Sequence, residues 1–208
     1  MTMITEQDHF VLRQRIRLVI NQYEFSMPGE EGDDGEAFCF VEQKRFKFKE
    51  DIGFFADESK QQPIMRILAR QRFDPKARYD ITTADGAPVG QIQKVFGKSL
   101  FRSTYTLFDG SGAEVCIARE KSLGKALFRR LVGLVPYIGD FADWLPIAYD
   151  FEFVRGTGED EQVLAENVRR RWKWRDVYDI DASADTERLL DRRLLLSATV
   201  GMDALQAR

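Results

Sequence analysis

Two basic segments of this sequence carry the residue types that bind anionic surfaces. The first is Arg169-Arg-Arg-Trp-Lys-Trp-Arg175, in which five cations surround two tryptophans. In a strand, cations at alternate positions share one face, and here they are Arg169, Arg171, Lys173 and Arg175. Each basic residue beside a charged membrane contributes roughly 1 kcal/mol, so the run predicts a patch that binds lipid or phosphate. The alternative is an ordinary strand with its tryptophans turned inward and its charges in water.

The second basic segment has the pattern of an amphipathic helix. Leucines recur at helical spacing, at Leu123, Leu127, Leu131 and Leu134. Cations lie off that stripe, at Lys121, Lys125, Arg129 and Arg130. Pro136 ends the helix, and a short aromatic stretch continues to Trp144. A basic amphipathic helix with aromatic anchors suits the bilayer interface, so residues 121–147 predict either a membrane-facing insertion or a structural lid.

Other reactive residue types predict little chemistry. His9 is the sole histidine and is expected in an exposed N-terminal tail, where it completes no triad or metal site. Cys39 and Cys116 have apolar neighbours in strands, as buried thiols do. Asp85-Gly86 and Asp109-Gly110 are expected as hairpin turns, since the spaced oxygen ligands of a calcium loop are missing. We therefore expect no enzyme, no metal and no cofactor.

Composition narrows the class of partner and compartment. The 208 residues include 31 basic and 34 acidic side chains, which gives a net charge of −3. The sequence therefore lacks the broad excess of positive charge that would predict nucleic-acid binding. Any anionic partner needs a local patch. The N-terminus has acids where a signal peptide needs cations and an apolar run, and two cysteines make no disulfide framework. We expect a cytoplasmic protein, which attaches to the inner face of the membrane if it binds lipid.

The elements that must position these segments are mainly strands. Residues 15–25 alternate apolar and polar and predict one half-buried strand, with further strands at 37–42 and 44–49. Residues 79–94 and 105–119 repeat one pattern of strand, Asp-Gly turn and strand, which predicts two hairpins. Degenerate copies span 52–67 and 151–167, and a last strand spans 172–180. Hairpins at this spacing predict a sheet that closes into a barrel.

The C-terminal segment predicts what fills that barrel. From Leu194 to Met202 apolar and small residues cover every face of a helix, which must then be buried on all sides. Ser183, Asp185 and Glu187 offer an N-cap and first-turn acids, so the central helix is predicted over 185–206. We expect a single domain over 1–208 that is mainly β, with the helix threaded through the barrel.

The Tyr79-Asp-Ile hairpin repeat and the closing Asp191-Arg-Arg-Leu-Leu-Leu-Ser-Ala resemble the LURP-one-related family, within the superfamily of tubby C-terminal domains and phospholipid scramblases. The resemblance covers about 37–118 and 149–205. It implies a twelve-stranded, largely antiparallel barrel around a hydrophobic C-terminal helix. Tubby domains bind phosphoinositide headgroups through a basic pocket, but no residue of that pocket is carried over to this chain. Scramblase calcium sites and cysteine clusters have no counterpart here.

These observations predict a non-catalytic barrel that binds anionic, phosphoinositide-like membrane lipid. The candidate lipid-binding residues are Lys121, Lys125, Arg129, Arg130, Trp144, Arg169, Arg171, Lys173 and Arg175. The alternative is a protein-interaction scaffold, in which residues 121–147 dock a protein partner or a second copy. Under that alternative the insertion can also be a lid, with no lipid binding.

Overall fold

The computed structural model describes residues 2–16, 20–30, 34–44, 51–69, 78–95, 104–121, 150–170 and 177–206. Its strands are β1 His9–Ile16, β2 Ile20–Pro28, β3 Asp34–Lys44, β4 Asp51–Phe55, β5 Pro63–Ala69, β6 Arg78–Thr83, β7 Pro88–Lys94, β8 Thr104–Asp109, β9 Glu114–Glu120, β10 Phe151–Arg155, β11 Gln162–Arg169 and β12 Val177–Asp181. Helix α1 spans Thr2–Glu6, helix α2 spans Arg192–Gln206, and Gly158–Asp160 forms a short 3₁₀ helix.

These strands form a closed barrel in which each strand pairs antiparallel with its neighbours along the chain. The first and last strands close the ring, with His9 opposite Asp181 and Arg13 opposite Val177. Closure removes the exposed sheet edges that would otherwise pair with other chains. The predicted fold, a twelve-stranded antiparallel barrel with a C-terminal helix, is therefore confirmed.

Helix α2 fills the barrel, which explains why its sequence is apolar on every face. Leu194, Leu195, Ala198, Val200 and Met202 are all fully buried. The helix lies close to β7 because Gly90 has no side chain there. A Cβ at that position would lie 2.4 Å from the Phe108 carbonyl oxygen and 3.0 Å from a Leu194 methyl group.

The predicted hairpin repeat is also present, with one shift in its alignment. Gly86 and Gly112 both have positive φ, 87° and 88°, and each donates its N–H to the last residue of the preceding strand. The equivalent of Gly86 is therefore Gly112, not Gly110. Only glycine adopts this left-handed backbone without strain, so it sets both turns.

Two predictions about the N-terminal strands are wrong. The alternating segment 15–25 is two strands, because Ile16 pairs with Asn21 and the chain reverses between them. His9 begins β1 rather than lying in a tail, although its side chain is exposed, with Nδ1 3.4 Å from a carboxylate oxygen of Asp181.

The central helix begins at Arg192 and not at Asp185. The Asp185 carboxylate instead accepts hydrogen bonds from the N–H groups of Leu189 and Leu190, both at 2.9 Å. It therefore caps a turn that precedes the helix. The predicted strand at 44–49 lies outside the described residues except for Lys44, which ends β3. Most of the insertion 121–147 and residues 172–176 of the last predicted strand also lie outside them.

Candidate functional site

The strand order divides the connections of the chain between two ends of the barrel. At one end, which we call the basic end, odd-numbered strands end and even-numbered strands begin. Its connections are 17–19, 45–50, 70–77, 95–103, 121–150 and 170–176. Their sequences contain seventeen Lys and Arg against six Asp and Glu, together with twelve aromatic residues that include all three tryptophans. Both basic segments singled out above belong to this end.

The opposite end, which we call the acidic end, has the reverse composition. Its connections are 29–33, 56–62, 84–87, 110–113, 156–161 and 182–191. Their sequences contain twelve Asp and Glu, two Lys and Arg, and no Phe, Tyr or Trp. The net charge of −3 therefore hides an uneven distribution of charged residues between the connections of the two ends, although two acids of the acidic end, Glu58 and Glu161, are ion-paired with Arg15 and Arg119 of the barrel wall.

Lys121 is the first candidate residue within the described part of the chain. It directly follows β9, and its backbone N–H donates to the carbonyl oxygen of Asp150 at 2.7 Å. Its ammonium nitrogen lies 2.7 Å from a carboxylate oxygen of Glu166, and the side chain is 39% exposed. The insertion thus leaves and re-enters the barrel through one closely spaced pair of residues.

Arg169 lies at the same place on the barrel although it is distant in sequence. It ends β11, and its backbone N–H donates to the Asp150 carboxylate at 3.0 Å. Asp150 therefore joins the starting points of both basic segments. The structure thus places the first residues of the two basic segments next to each other. The sequence had related these segments only by their similar composition.

The next residue, Arg170, is already neutralised. Its guanidinium contacts the Asp179 carboxylate at 2.7 Å and the Asp34 carboxylate at 3.0 Å, and the side chain is only 15% exposed. The cationic run is thus less charged at its first positions than its sequence indicates. The remaining candidates lie outside the described residues; they are Lys125, Arg129, Arg130, Trp144, Arg171, Lys173 and Arg175.

A buried ionic network holds the acidic end to the central helix. The Arg192 guanidinium donates to Asp185 and to Asp8, both at 2.7 Å, and to the Leu190 carbonyl oxygen at 2.8 Å. Burial opposes ionisation of Asp185, but its hydrogen bonds from Arg192 and two backbone N–H groups outweigh burial and lower its pKa. We interpret this network as structural, because the hydrogen-bonding groups of Arg192 and Asp185 are satisfied within the protein.

Nucleophilic or metal chemistry finds little support in the described residues. Burial raises the pKa of Cys39 and of Cys116 to about 12, so neither thiol is a ready nucleophile at neutral pH. Across the described ranges, no three His, Cys, Asp or Glu side chains are grouped so that they could hold a metal ion.

Two grooves escaped the sequence analysis. One, of about 620 Å³, lies over Gly53 on the outer wall, between a Glu42–Lys60 pair and an Asp51–Arg66 pair. A glycine within a strand is a signal for close approach to the backbone, but the Phe55 ring already lies 2.8 Å from where a Gly53 Cβ would stand. The other groove, of about 460 Å³, lies at the acidic end.

Comparison with known proteins gives a family. A family model described as LURP-one-related matches residues 38–203, well over half of the chain. No curated protein matches the sequence. Among the helices in the described part of the chain, none has both the length and the apolar character required to cross a membrane.

Proposed function

Since the chain belongs to the LURP-one-related family, we propose that it is a non-catalytic barrel that binds anionic membrane lipid through its basic end. Phosphoinositide-like headgroups are the ligand class that we favour. Lys121, Lys125, Arg129 and Arg130, with the alternate cations of Arg169–Arg175, supply the charge, and Trp144 supplies an interfacial anchor.

The observation that carries this proposal is the separation of charge between the two ends. Seventeen basic residues and all three tryptophans fall in the connections of one end. Cations attract anionic lipid, and tryptophan side chains prefer the membrane interface. The combination supports a lipid surface over nucleic acid, because binding of a polyanion does not by itself require aromatic anchors at the same end.

The acidic end does not cancel this attraction. An eight-residue strand such as β1 is about 26 Å long, or about 20 Å along the axis of a tilted barrel. The screening length in physiological salt is about 8 Å. A membrane at the basic end therefore interacts with the local charge and not with the net charge of the chain.

The filled barrel also supports a surface function. The family is generally non-catalytic, and α2 occupies the interior where an open barrel would bind its ligand. The buried face of α2 is continuous from Leu194 to Met202. A ligand site at the end of the barrel, rather than within it, is consistent with this packing.

Vesicle co-sedimentation tests the proposal. The protein should bind vesicles that contain phosphatidylserine or a phosphoinositide, bind neutral phosphatidylcholine vesicles weakly, and lose binding as salt rises. The variant Arg171→Gln, Lys173→Gln and Arg175→Gln removes three cations at about 1 kcal/mol each. We therefore expect more than about a tenfold loss of affinity.

A matched control changes the net charge by the same amount at the acidic end. Ala87→Glu, Ala113→Glu and Thr157→Glu alter three exposed positions and should change vesicle affinity by less than about twofold, because they lie beyond the screening length. Equal losses in the two variants, or equal binding of neutral and anionic vesicles, would contradict the proposal.

A scaffold function is the second candidate, and one observation favours it. β9 and β10 pair directly, from Phe151 opposite Glu120 to Val154 opposite Ile117, so the sheet closes without the insertion between them. An added segment that the sheet does not need is available to dock a protein. Absence of vesicle binding by the full chain, together with a protein partner that is lost on removal of residues 122–149, would favour this alternative.

A further inference from the structure

The outer wall of the barrel has two buried valines that do not belong to the core. Phe10 and Leu12 of β1 point inward, so strand alternation places Val11 on the outer face. In the same way Tyr178 of β12 points inward, and Val177 points outward. Yet Val11 is 0% exposed and Val177 is 2% exposed. Another part of the chain must therefore cover this patch of the outer wall.

Asp34, the first residue of β3, reaches this patch. Its carboxylate accepts a hydrogen bond from Arg13 and another from Arg170 at 3.0 Å. Arg13 pairs with Val177 across β1 and β12 and points outward as Val11 does. Along the wall, β3 and β11 are four strand spacings apart, about 19 Å, which is more than an aspartate and an arginine side chain span together. The start of β3 must therefore extend over the outer wall of its neighbours.

The β2–β3 hairpin is bent close to this point. Its register shifts on both sides of Ser26, and bulges of this kind bend and twist a strand. Gly35 allows the two strands to approach closely, because a Cβ there would lie 2.8 Å from the Met27 carbonyl oxygen. The bend directs the outer part of the hairpin over the patch. We call this part, residues 26–28 and 34–37, the strap.

The surface beneath the strap combines apolar side chains with cations, which suits an anionic bilayer interface. We propose that the strap is an autoinhibitory contact. When it is closed, it covers Val11 and Val177 and neutralises Arg13 and Arg170. When it opens, these four residues extend the lipid-binding surface of the basic end, where Arg170 is the second residue of the cationic run. Such inhibition presupposes the proposed function and adds its regulation.

The strap can open without leaving a buried charge unpaired. Arg170 keeps its second partner, because its guanidinium also lies 2.7 Å from the Asp179 carboxylate. The Arg13 side chain is already 33% exposed, so water can replace Asp34 beside it. Removal of the Asp34 carboxylate should therefore favour the open strap while the barrel stays folded. An anionic membrane competes with Asp34 for the same two guanidinium groups.

Thiol labelling without lipid tests whether the strap covers the patch. Val11→Cys places a thiol beneath the strap, and both native cysteines are buried, so iodoacetamide should report on position 11. Adding Asp34→Ala should raise the labelling rate at least about tenfold, because hydrogen bonds between charged groups hold the strap closed. Adding Glu36→Ala, which removes the same charge from an exposed position of the strap, should change the rate by less than about twofold. Equal rates with and without Asp34→Ala would overturn the closed strap.

Vesicle co-sedimentation tests the inhibition itself. Asp34→Ala should bind phosphatidylserine vesicles at least about fivefold more tightly than the parent, since each cation released at a charged membrane adds about that factor. Glu36→Ala should stay within about twofold of the parent, and all three proteins should bind neutral phosphatidylcholine vesicles weakly. An equal gain in both variants would mean that only net charge matters and would overturn the inhibition. Circular dichroism checks that both variants fold.

The two measurements distinguish autoinhibition from the proposed function. Faster labelling with Asp34→Ala, but no binding of anionic vesicles by any of the three proteins, would reject lipid binding and its inhibition and would leave the closed strap standing. Binding of anionic vesicles by the parent, with neither faster labelling nor tighter binding in Asp34→Ala, would do the reverse. Faster labelling with unchanged vesicle affinity would overturn the inhibition alone.

Discussion

The acidic end of the barrel has connections of four to ten residues, whereas those at the basic end range from three to thirty. Glycine turns and the Asp8–Asp185–Arg192 network order the acidic end, where the central helix enters. Cations and aromatic residues dominate the connections of the basic end. The difference indicates that residues essential for folding concentrate at one end and that residues suited to binding concentrate at the other.

The largest expected effect on stability comes from placing a charged side chain in α2, the helix that runs through the barrel between the two ends. Leu195→Asp buries a carboxylate at a position with no exposed surface, and an unpaired buried charge is too costly for a domain of ordinary stability. We expect the variant to be insoluble or unfolded by circular dichroism. A soluble, cooperatively melting Leu195→Asp protein would show that α2 is not the core of the barrel.

The next largest loss of stability should come from breaking the Asp8–Asp185–Arg192 network at the acidic end. Arg192→Met leaves the fully buried Asp185 carboxylate without its cation, which typically costs about 3–5 kcal/mol of unfolding free energy. The neighbouring Arg193 pairs with Asp191 at 28% exposure, so Arg193→Met should cost at most about 1 kcal/mol. Urea unfolding of the two variants measures the difference. Similar losses would mean that the network has no special role at this end.

The same network predicts a pH dependence. Because the folded pKa of Asp185 is lowered, its ionised form stabilises the fold fully above the unfolded value of about 3.9, and that contribution is lost as the pH falls through the folded value. Asp185→Asn should reduce stability at pH 7 and flatten the loss of stability below about pH 4. Asp160→Asn, which removes an exposed carboxylate at the same end, is the control. An unchanged acid limb in Asp185→Asn would contradict the assignment.

The sequence predicted the strands and the central helix better than it predicted which residues meet at each end of the barrel. Alternation, the glycine turns and the all-apolar stretch from Leu194 depend on local pattern, and they identified the hairpins and the central helix. The network was not predictable, because Asp8 and Arg192 are 184 positions apart and only the closed topology joins them. The basic end was only partly visible, since 45–50, 70–77 and 95–103 join the other basic segments only once the strand order is known.

The smallest expected effect on stability comes from removing the longest connection of the basic end. The ends of β9 and β10 are already joined, because the Lys121 N–H donates to the Asp150 carbonyl oxygen at 2.7 Å. Replacing residues 122–149 by a two-residue Asn-Gly turn keeps that bond and suits a hairpin. The variant should melt cooperatively near the parent temperature while losing the lipid binding that Lys125, Arg129, Arg130 and Trp144 would support. If the leucine stripe instead closes the barrel, its removal exposes core surface, and aggregation would show that the basic end also serves folding.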